Sequence, residues 1–231
     1  VRPVLVTDEI YHVYNRGVDK RTVFMSNREY LRAMHDLYDF NDLASSTNHG
    51  FMLKIGGLDK APIATKRREP IVEIMAVALM PNHYHLLLRQ LVDGGISLFM
   101  KKFGGGYTNY FNILYERSGA LFQGKFKAVH VNSDSQLYHI PNYIHLNPVE
   151  LWYPGWKTDG LSPQQVRDVL TKLEKYRWSS YPDYIGLRNY PSVTNRDFIS
   201  ALYGGEAGYK RTIEEWLSTP SLEEVNDISI D

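Results

Sequence analysis

Apolar and polar positions change their period several times along the chain, and each change marks an element. Residues 10–15, Ile-Tyr-His-Val-Tyr-Asn, are rich in β-branched and aromatic side chains and run into Arg16-Gly17, which predicts a strand and a turn. Ser26 or Asn27 can cap a helix to about Phe40, with Tyr30, Leu31, Met34, Leu37 and Tyr38 as its buried stripe. The pattern breaks over 42–70, where Ser45-Ser46-Thr47-Asn48, Gly56-Gly57, Pro62 and Lys66-Arg67-Arg68 read as an insertion with a short strand at 51–55. Apolar runs at 71–79 and 83–91 predict two strands joined by a turn at Met80-Pro81-Asn82.

A helical segment follows over about 97–115. Leu98, Phe99, Phe103, Tyr107, Tyr110, Phe111 and Leu114 lie mostly on one side of it. Gly104-Gly105-Gly106 interrupts the segment. Each glycine costs a helix about 1 kcal/mol relative to Ala, which predicts a kink or break. Residues 120–131 read as a fourth strand carrying Lys125 and Lys127. Ser133 with Gln136 reads as a capping box opening a helix to about Leu146, with Pro148 helping to stop it and Pro141 predicting a kink inside it.

The order βαββαβ followed by a helix predicts an α+β fold, a ferredoxin-like antiparallel sheet with its first and third strands in the centre. The helix after the fourth strand is then free to cross one face of the sheet. Beyond 150, helices are predicted from Ser162-Pro163-Gln164 to Tyr176, from Thr194-Asn195-Arg196-Asp197 onward, and over 212–217. Trp152, Tyr153, Trp156 and Trp178 are expected to pack this tail onto the core, and the acidic 221–231 end is expected to fray. The division is a core over 8–150, with the insertion at about 42–70, and a helical C-terminal extension over 151–231.

Candidate chemistry sits on the third strand and the last core helix. His83 and His85 are two apart, so on a strand they share a face and offer two imidazole nitrogens to one ion, with Tyr84 turned away. For an isolated pair of this kind, two solvated or hydrogen-bonded histidines opening a strand near a sheet edge is the simpler reading. On the helix, Tyr143 and Asn147 are four apart and share a face. Asn147 can give a carbonyl oxygen to a metal, with the Tyr143 phenol nearby. Taken singly, a core tyrosine and a helix C-cap explain them as well. Four residues converging on one place is the rarer coincidence. His145 points nearly opposite to Tyr143.

Composition and charge narrow the partners. The chain has no cysteine, so disulfides and thiolate metal sites are excluded. No stretch approaches the ~20 apolar residues of a membrane span, and a cytoplasmic protein with no membrane partner is expected. Net charge is zero, yet residues 1–150 hold 17 Lys+Arg against 14 Asp+Glu, and 151–231 hold 9 against 12. Over 101–130, Lys101, Lys102, Arg117, Lys125 and Lys127 face only Glu116, an excess that suits phosphates about as well as it suits a solvated face.

These stretches resemble a known family. Met80-Pro81-Asn82-His83-Tyr84-His85-Leu86-Leu87-Leu88 is similar to the HUH motif of single-tyrosine transposases of the IS200/IS605 type, and Tyr143-Ile144-His145-Leu146-Asn147-Pro148 looks like their catalytic-tyrosine helix. Residues 107–112 and 118–128 resemble the connecting helix and basic strand, and Tyr11-His12-Val13-Tyr14-Asn15-Arg16-Gly17 also fits. Tyr176-Arg177-Trp178-Ser179-Ser180-Tyr181 and the length point to the REP-associated subgroup. The resemblance implies a single-stranded DNA transesterase acting near imperfect hairpins, nucleoid-associated when bound. It implies Mg²⁺ or Mn²⁺ held by His83, His85 and Asn147, and Tyr143 as the nucleophile of a 5′-phosphotyrosine intermediate. Arg16, Lys101, Lys102, Arg117, Lys125 and Lys127 are the charged candidates for DNA, with Tyr107 and Phe122 as stacking or core residues. A monomer is weakly favoured. A hairpin-binding module without turnover and a water-using metal phosphodiesterase remain as alternatives.

Overall fold

The computed structural model describes residues 2–44 and 68–218. The strand read at 51–55, most of the insertion, and the 221–231 end lie outside the described residues. The core elements are β1 (Ile10–Arg16), α1 (Asn27–Asp39), β2 (Val72–Met80), β3 (His83–Gln90), α2 (Gly95–Leu114), β4 (Lys127–His130) and α3 (Asp134–Leu146). The strands form one antiparallel sheet in the order β2-β3-β1-β4, the ferredoxin-like arrangement, and the histidine strand β3 is central, not at an edge.

Alternation along the two central strands gives the sheet two different faces. Tyr11, Val13, Tyr84, Leu86 and Leu88 point to the face covered by α1 and α2. Leu87 points to the other face, with Met75, Ala76 and Ala78 from β2, under α3 and the tail. The tail contributes α4 (Trp156–Asp159), α5 (Pro163–Lys175), α6 (Tyr181–Tyr184), α7 (Asp197–Leu202) and α8 (Glu206–Ser218). Trp156, Val169, Leu173, Tyr181, Tyr184, Tyr209 and Ile213 share a continuous apolar core with α3. The 178–180 segment lies along the outer edge of β2: Leu79 N–H donates to Trp178 O at 2.8 Å and Ser180 N–H to Val77 O at 3.0 Å. This covers an edge that would otherwise present open ladder groups.

Three readings of the sequence are corrected. First, α2 runs unbroken through Gly104-Gly105-Gly106. Its apolar face, Phe99, Phe103, Tyr107 and Phe111, supplies the burial that offsets the glycine penalty. Leu98 and Ile113, by contrast, are exposed. The glycines differ in use: a Cβ on Gly106 would stand 2.6 Å from the Phe40 ring, whereas Gly104 and Gly105 face open space. Gly105→Ala is therefore expected to raise stability by about 0.5–1 kcal/mol, and Gly106→Ala to gain nothing or lose about 1 kcal/mol as Phe40 is displaced. Urea unfolding of the two variants side by side checks the opposite signs.

Second, β4 is only Lys127–His130. Residues 120–126 form a loop tied to the end of β1 by a Gly17–Phe122 bridge, by Gln123 N–H donating to Arg16 O at 2.8 Å and by Asn15 Nδ2 donating to Gly124 O at 3.2 Å, and Gly119 and Gly124 turn it through positive φ. Lys125 is thus on a loop. α3 spans Asp134–Leu146 with Pro141 inside it, as read from the sequence, and its cap supplies the third correction. One turn before the end of the helix, Asn142 Nδ2 donates to Tyr138 O at 3.1 Å, and the Tyr203 hydroxyl of the tail donates to the same oxygen. The Ser133 cap is present, its Oγ accepting from Gln136 N–H at 3.2 Å, but the reciprocal arm reaches Asn132 N–H and not Ser133.

Candidate active site

The two-residue turn Pro81-Asn82 joins β2 to β3 and sets the start of the histidine strand. Its carbonyls are held by the 17–24 loop: Gly17 N–H donates to Asn82 O at 2.8 Å, and Val23 and Phe24 N–H donate to Pro81 O at 2.7 and 3.0 Å. Asn82 is fixed in turn by donating from Nδ2 to Lys20 O at 3.1 Å. Its side-chain oxygen then meets His83 Nδ1 at 2.6 Å. An amide oxygen can only accept, so His83 carries its proton on Nδ1 and its lone pair on Nε2.

His83 is half-buried, whereas His85 is only 4% exposed and so is not a solvated histidine. Its Nδ1 lies 2.9 Å from Nε2 of His12, a residue of β1 that is fully buried. Burial holds both imidazoles neutral. His12 is lowered to about 3, and His85 is driven well below its ordinary value by burial and by the surrounding charges of His12, His83, Lys157 and Arg16. When His85 donates from Nδ1 it keeps its Nε2 lone pair for a ligand, and the His12 proton then sits on a buried Nδ1 that has no partner. The reverse arrangement serves no cation.

α3 crosses this face as expected and brings Tyr143 over the histidines. Its ring stands edge-on to His85 at 5.5 Å and to His12 at 5.7 Å between centroids, and the His83 and His85 rings are 5.0 Å apart. Asn147 is the C-cap of α3 and donates from Nδ2 to Tyr143 O at 2.9 Å. That bond turns the side-chain oxygen to the other side, and Asn147 lines one recess with His83. Two neutral imidazoles and one amide oxygen are a donor set suited to a hard divalent ion that draws its remaining ligands, and its counter-charge, from a phosphate and water. The described residues thus fit such an ion without a carboxylate, and among them no cluster of three or more His, Asp or Glu stands ready to hold a metal.

Two cations flank the site. Arg16, at the end of β1, lines both recesses around the histidines, one of about 320 Å³ with His83, Asn147 and Lys157. The other is a small pocket shared with Tyr14, His85 and Lys127. Lys127 Nζ stands 5.7 Å from the Tyr14 ring. Lys157, from α4, lies 4.6 Å from the centroid of Tyr143.

The other DNA candidates part company. Lys101, Lys125 and the buried edge of Phe122 line an open groove of about 730 Å³ between α2 and the 120–126 loop, on the far side of the sheet, with Gly104 and Gly105 in its wall. Lys102 donates to the carbonyls of Asp42 and Ala44. Arg117 donates to Asn112 Oδ1 at 2.6 Å and to Ala120 O at 3.0 Å, pinning the loop. Tyr107 is 0% exposed and donates its hydroxyl to Val23 O at 2.5 Å, which leaves no ring face for a base. Phe122, at 6% exposure, packs on Tyr84 and Tyr107 and is likewise a core residue.

Sequence reasoning missed His12 and Lys157. His12 was open to discovery, since His12, Tyr14 and Arg16 alternate with the apolar Tyr11 and Val13 and give a central strand a polar face. Nothing in the local sequence marks Lys157.

Residues 60–147 match the family described as transposase IS200 like. No curated protein sequence matches the chain. Among solved structures, a REP-associated tyrosine transposase bound to a REP hairpin is 13% identical, with 82% of this chain and 88% of that chain covered and a TM-score of 0.45. The tRNA(His) guanylyltransferase of Saccharomyces cerevisiae is 12% identical, with 75% and 74% covered and a TM-score of 0.36. Among the described residues no helix is long and apolar enough to cross a membrane.

Proposed function

We propose, from the match of residues 60–147 to the family described as transposase IS200 like, that the protein cleaves and rejoins single-stranded DNA beside hairpins, with Tyr143 as nucleophile. The observation that carries the reading is the convergence of Tyr143 on His83, His85 and Asn147 from two elements far apart in sequence. His83, His85 and Asn147 would hold a divalent ion, Mg²⁺ or Mn²⁺, which would supply polarisation of the scissile phosphate and stabilisation of the leaving 3′ oxygen.

The chain's own residues do the rest. Asn82 and His12 orient the two imidazoles through their Nδ1 atoms. The Tyr143 oxygen forms a bond to phosphorus, the bond to the 3′ oxygen breaks, and the phenolic proton passes to solvent. A 3′-hydroxyl reverses the exchange and releases Tyr143. No water enters the covalent balance, so the phosphodiester bond energy is kept for joining. The groove between α2 and the 120–126 loop, with Lys101 and Lys125 on its rim, holds the flanking DNA through its backbone. Core and tail, divided near residue 150, act as one unit in this scheme.

The reading is tested by incubating the protein with end-labelled single-stranded DNA carrying hairpins with short tails, plus Mg²⁺ or Mn²⁺, and resolving the products under denaturing conditions. The expected result is label migrating with the protein, abolished by chelator, and mapped by mass spectrometry to the Tyr143 peptide. Native-gel binding with no adduct would favour a hairpin-binding module without turnover.

A further inference from the structure

We infer that Lys157, contributed by the C-terminal tail, is a further catalytic residue: its ammonium contacts the scissile phosphate, opposite Arg16, above the Tyr143 ring. The inference rests on the phosphotyrosine reading above. It concerns residues that lie outside the matched segment, since 60–147 ends before Lys157 and begins after Arg16.

The placement of Lys157 is built, not incidental. α4 is four residues long, far too short to persist alone. It is held from both sides. Trp156 is buried in the core beneath α3, and Gly155, at φ 77°, donates its N–H to Glu150 Oε1 at 2.9 Å. Gly160 closes the turn at φ 72°. The backbone of Lys157 is therefore positioned by its neighbours, and its side chain lies over the site. Its Nζ stands 4.6 Å from the Tyr143 ring centroid, in the recess it shares with Arg16, His83 and Asn147.

The charge in that recess asks for an anion. Of its lining, His83 is an imidazole, Asn147 is neutral, and Arg16 and Lys157 are cations. Glu150 is the one carboxylate among the recess-lining residues, and it accepts from the Gly155 backbone. A phosphodiester fits between two cations, and the pentacovalent state gathers further negative charge on its non-bridging oxygens. An ammonium on a four-carbon stem can move from the ring face onto such an oxygen. Lys157 stays protonated throughout. The bond made is Tyr143 oxygen to phosphorus, the bond broken is phosphorus to the 3′ oxygen, and no proton passes through the lysine.

The test uses the full-length chain with Lys157→Gln and Lys157→Arg. Adduct formation at saturating DNA and metal is expected to slow on the order of 100-fold in Lys157→Gln, and Lys157→Arg is expected to recover to within about 10-fold. The second readout needs no turnover. Affinity for a hairpin with its single-stranded tail is measured against salt in chelator, where losing one phosphate contact lowers the log–log slope by about 0.7. The slope for the same hairpin without a tail should not move. A wild-type rate in Lys157→Gln, or an unchanged slope for the tailed substrate, would overturn the inference. Absence of any adduct from the wild-type protein would instead count against the phosphotyrosine reading, and the slope would still decide whether Lys157 touches phosphate.

Discussion

Replacing Tyr143 with Phe is expected to remove the covalent protein–DNA adduct, a loss of at least about 10³-fold, because the variant lacks the phenolic oxygen that attacks phosphorus. The ring keeps its place in the variant. Tyr143 is buried, its packing on His12 and His85 comes from the ring edge and face, and the Asn147 bond goes to its backbone carbonyl. Only the hydroxyl is lost, and stability should change by about 1 kcal/mol. Hairpin affinity should stay within a few-fold, which separates chemistry from binding. Thermal unfolding, a native gel and a denaturing gel on the same preparation read all three. Strand cutting that survives in Tyr143→Phe would point to a water-using phosphodiesterase.

Acid is expected to destabilise the protein through His145. His145 is fully buried at the seam between α3 and the tail. Its Nδ1 meets the Tyr209 hydroxyl at 2.5 Å and its Nε2 meets Ser180 Oγ at 2.7 Å. Burial lowers it from 6.5 to about 3. The folded state therefore keeps it neutral while the unfolded state takes up a proton below pH 6.5. Its full stabilising contribution is present above that pH and falls as the pH drops toward 3. The difference amounts to about 1.4 kcal/mol per pH unit, or roughly 2 kcal/mol between pH 6.5 and pH 5. His145→Gln keeps a donor and an acceptor but cannot titrate. It should be less stable at pH 7.5 by about 1–3 kcal/mol, yet lose about 2 kcal/mol less than the wild type on going to pH 5. Urea unfolding at the two pH values gives both numbers. Equal losses in the two proteins would mean that His145 is hydrated in solution.

The local signals in the chain proved to be strong ones. Tyr30, Leu31, Met34 and Leu37 became the buried face of α1, and Ser26 and Glu29 close a capping box at its start. The histidines at 83 and 85 share a face because alternation is a property of the strand itself. The order of elements was enough for the ferredoxin-like sheet, since few topologies join them without crossing. What misled was also local. Three glycines lower helix propensity, but the burial of Phe99, Phe103, Tyr107 and Phe111 outweighs them. A basic, aromatic run reads as a strand, but positive φ at Gly119 and Gly124 bends it into a loop.

By itself, then, the sequence determined the elements, their order, and which residues of β3 and α3 could meet. Only the tertiary structure decided what each side chain is bonded to. Lys102 and Arg117 look like any surface cation in the sequence, yet backbone carbonyls and Asn112 Oδ1 accept their hydrogen bonds. His12 becomes the partner of His85 because β1 pairs with β3 in a register that sets Tyr14 opposite His85 and leaves His12 one step along the same face. Lys157 reaches Tyr143 only because Trp156 is buried beneath α3. Periodicity is a short-range property of the backbone, whereas partners far apart in the chain are chosen by how whole layers pack, and no window of sequence contains that choice.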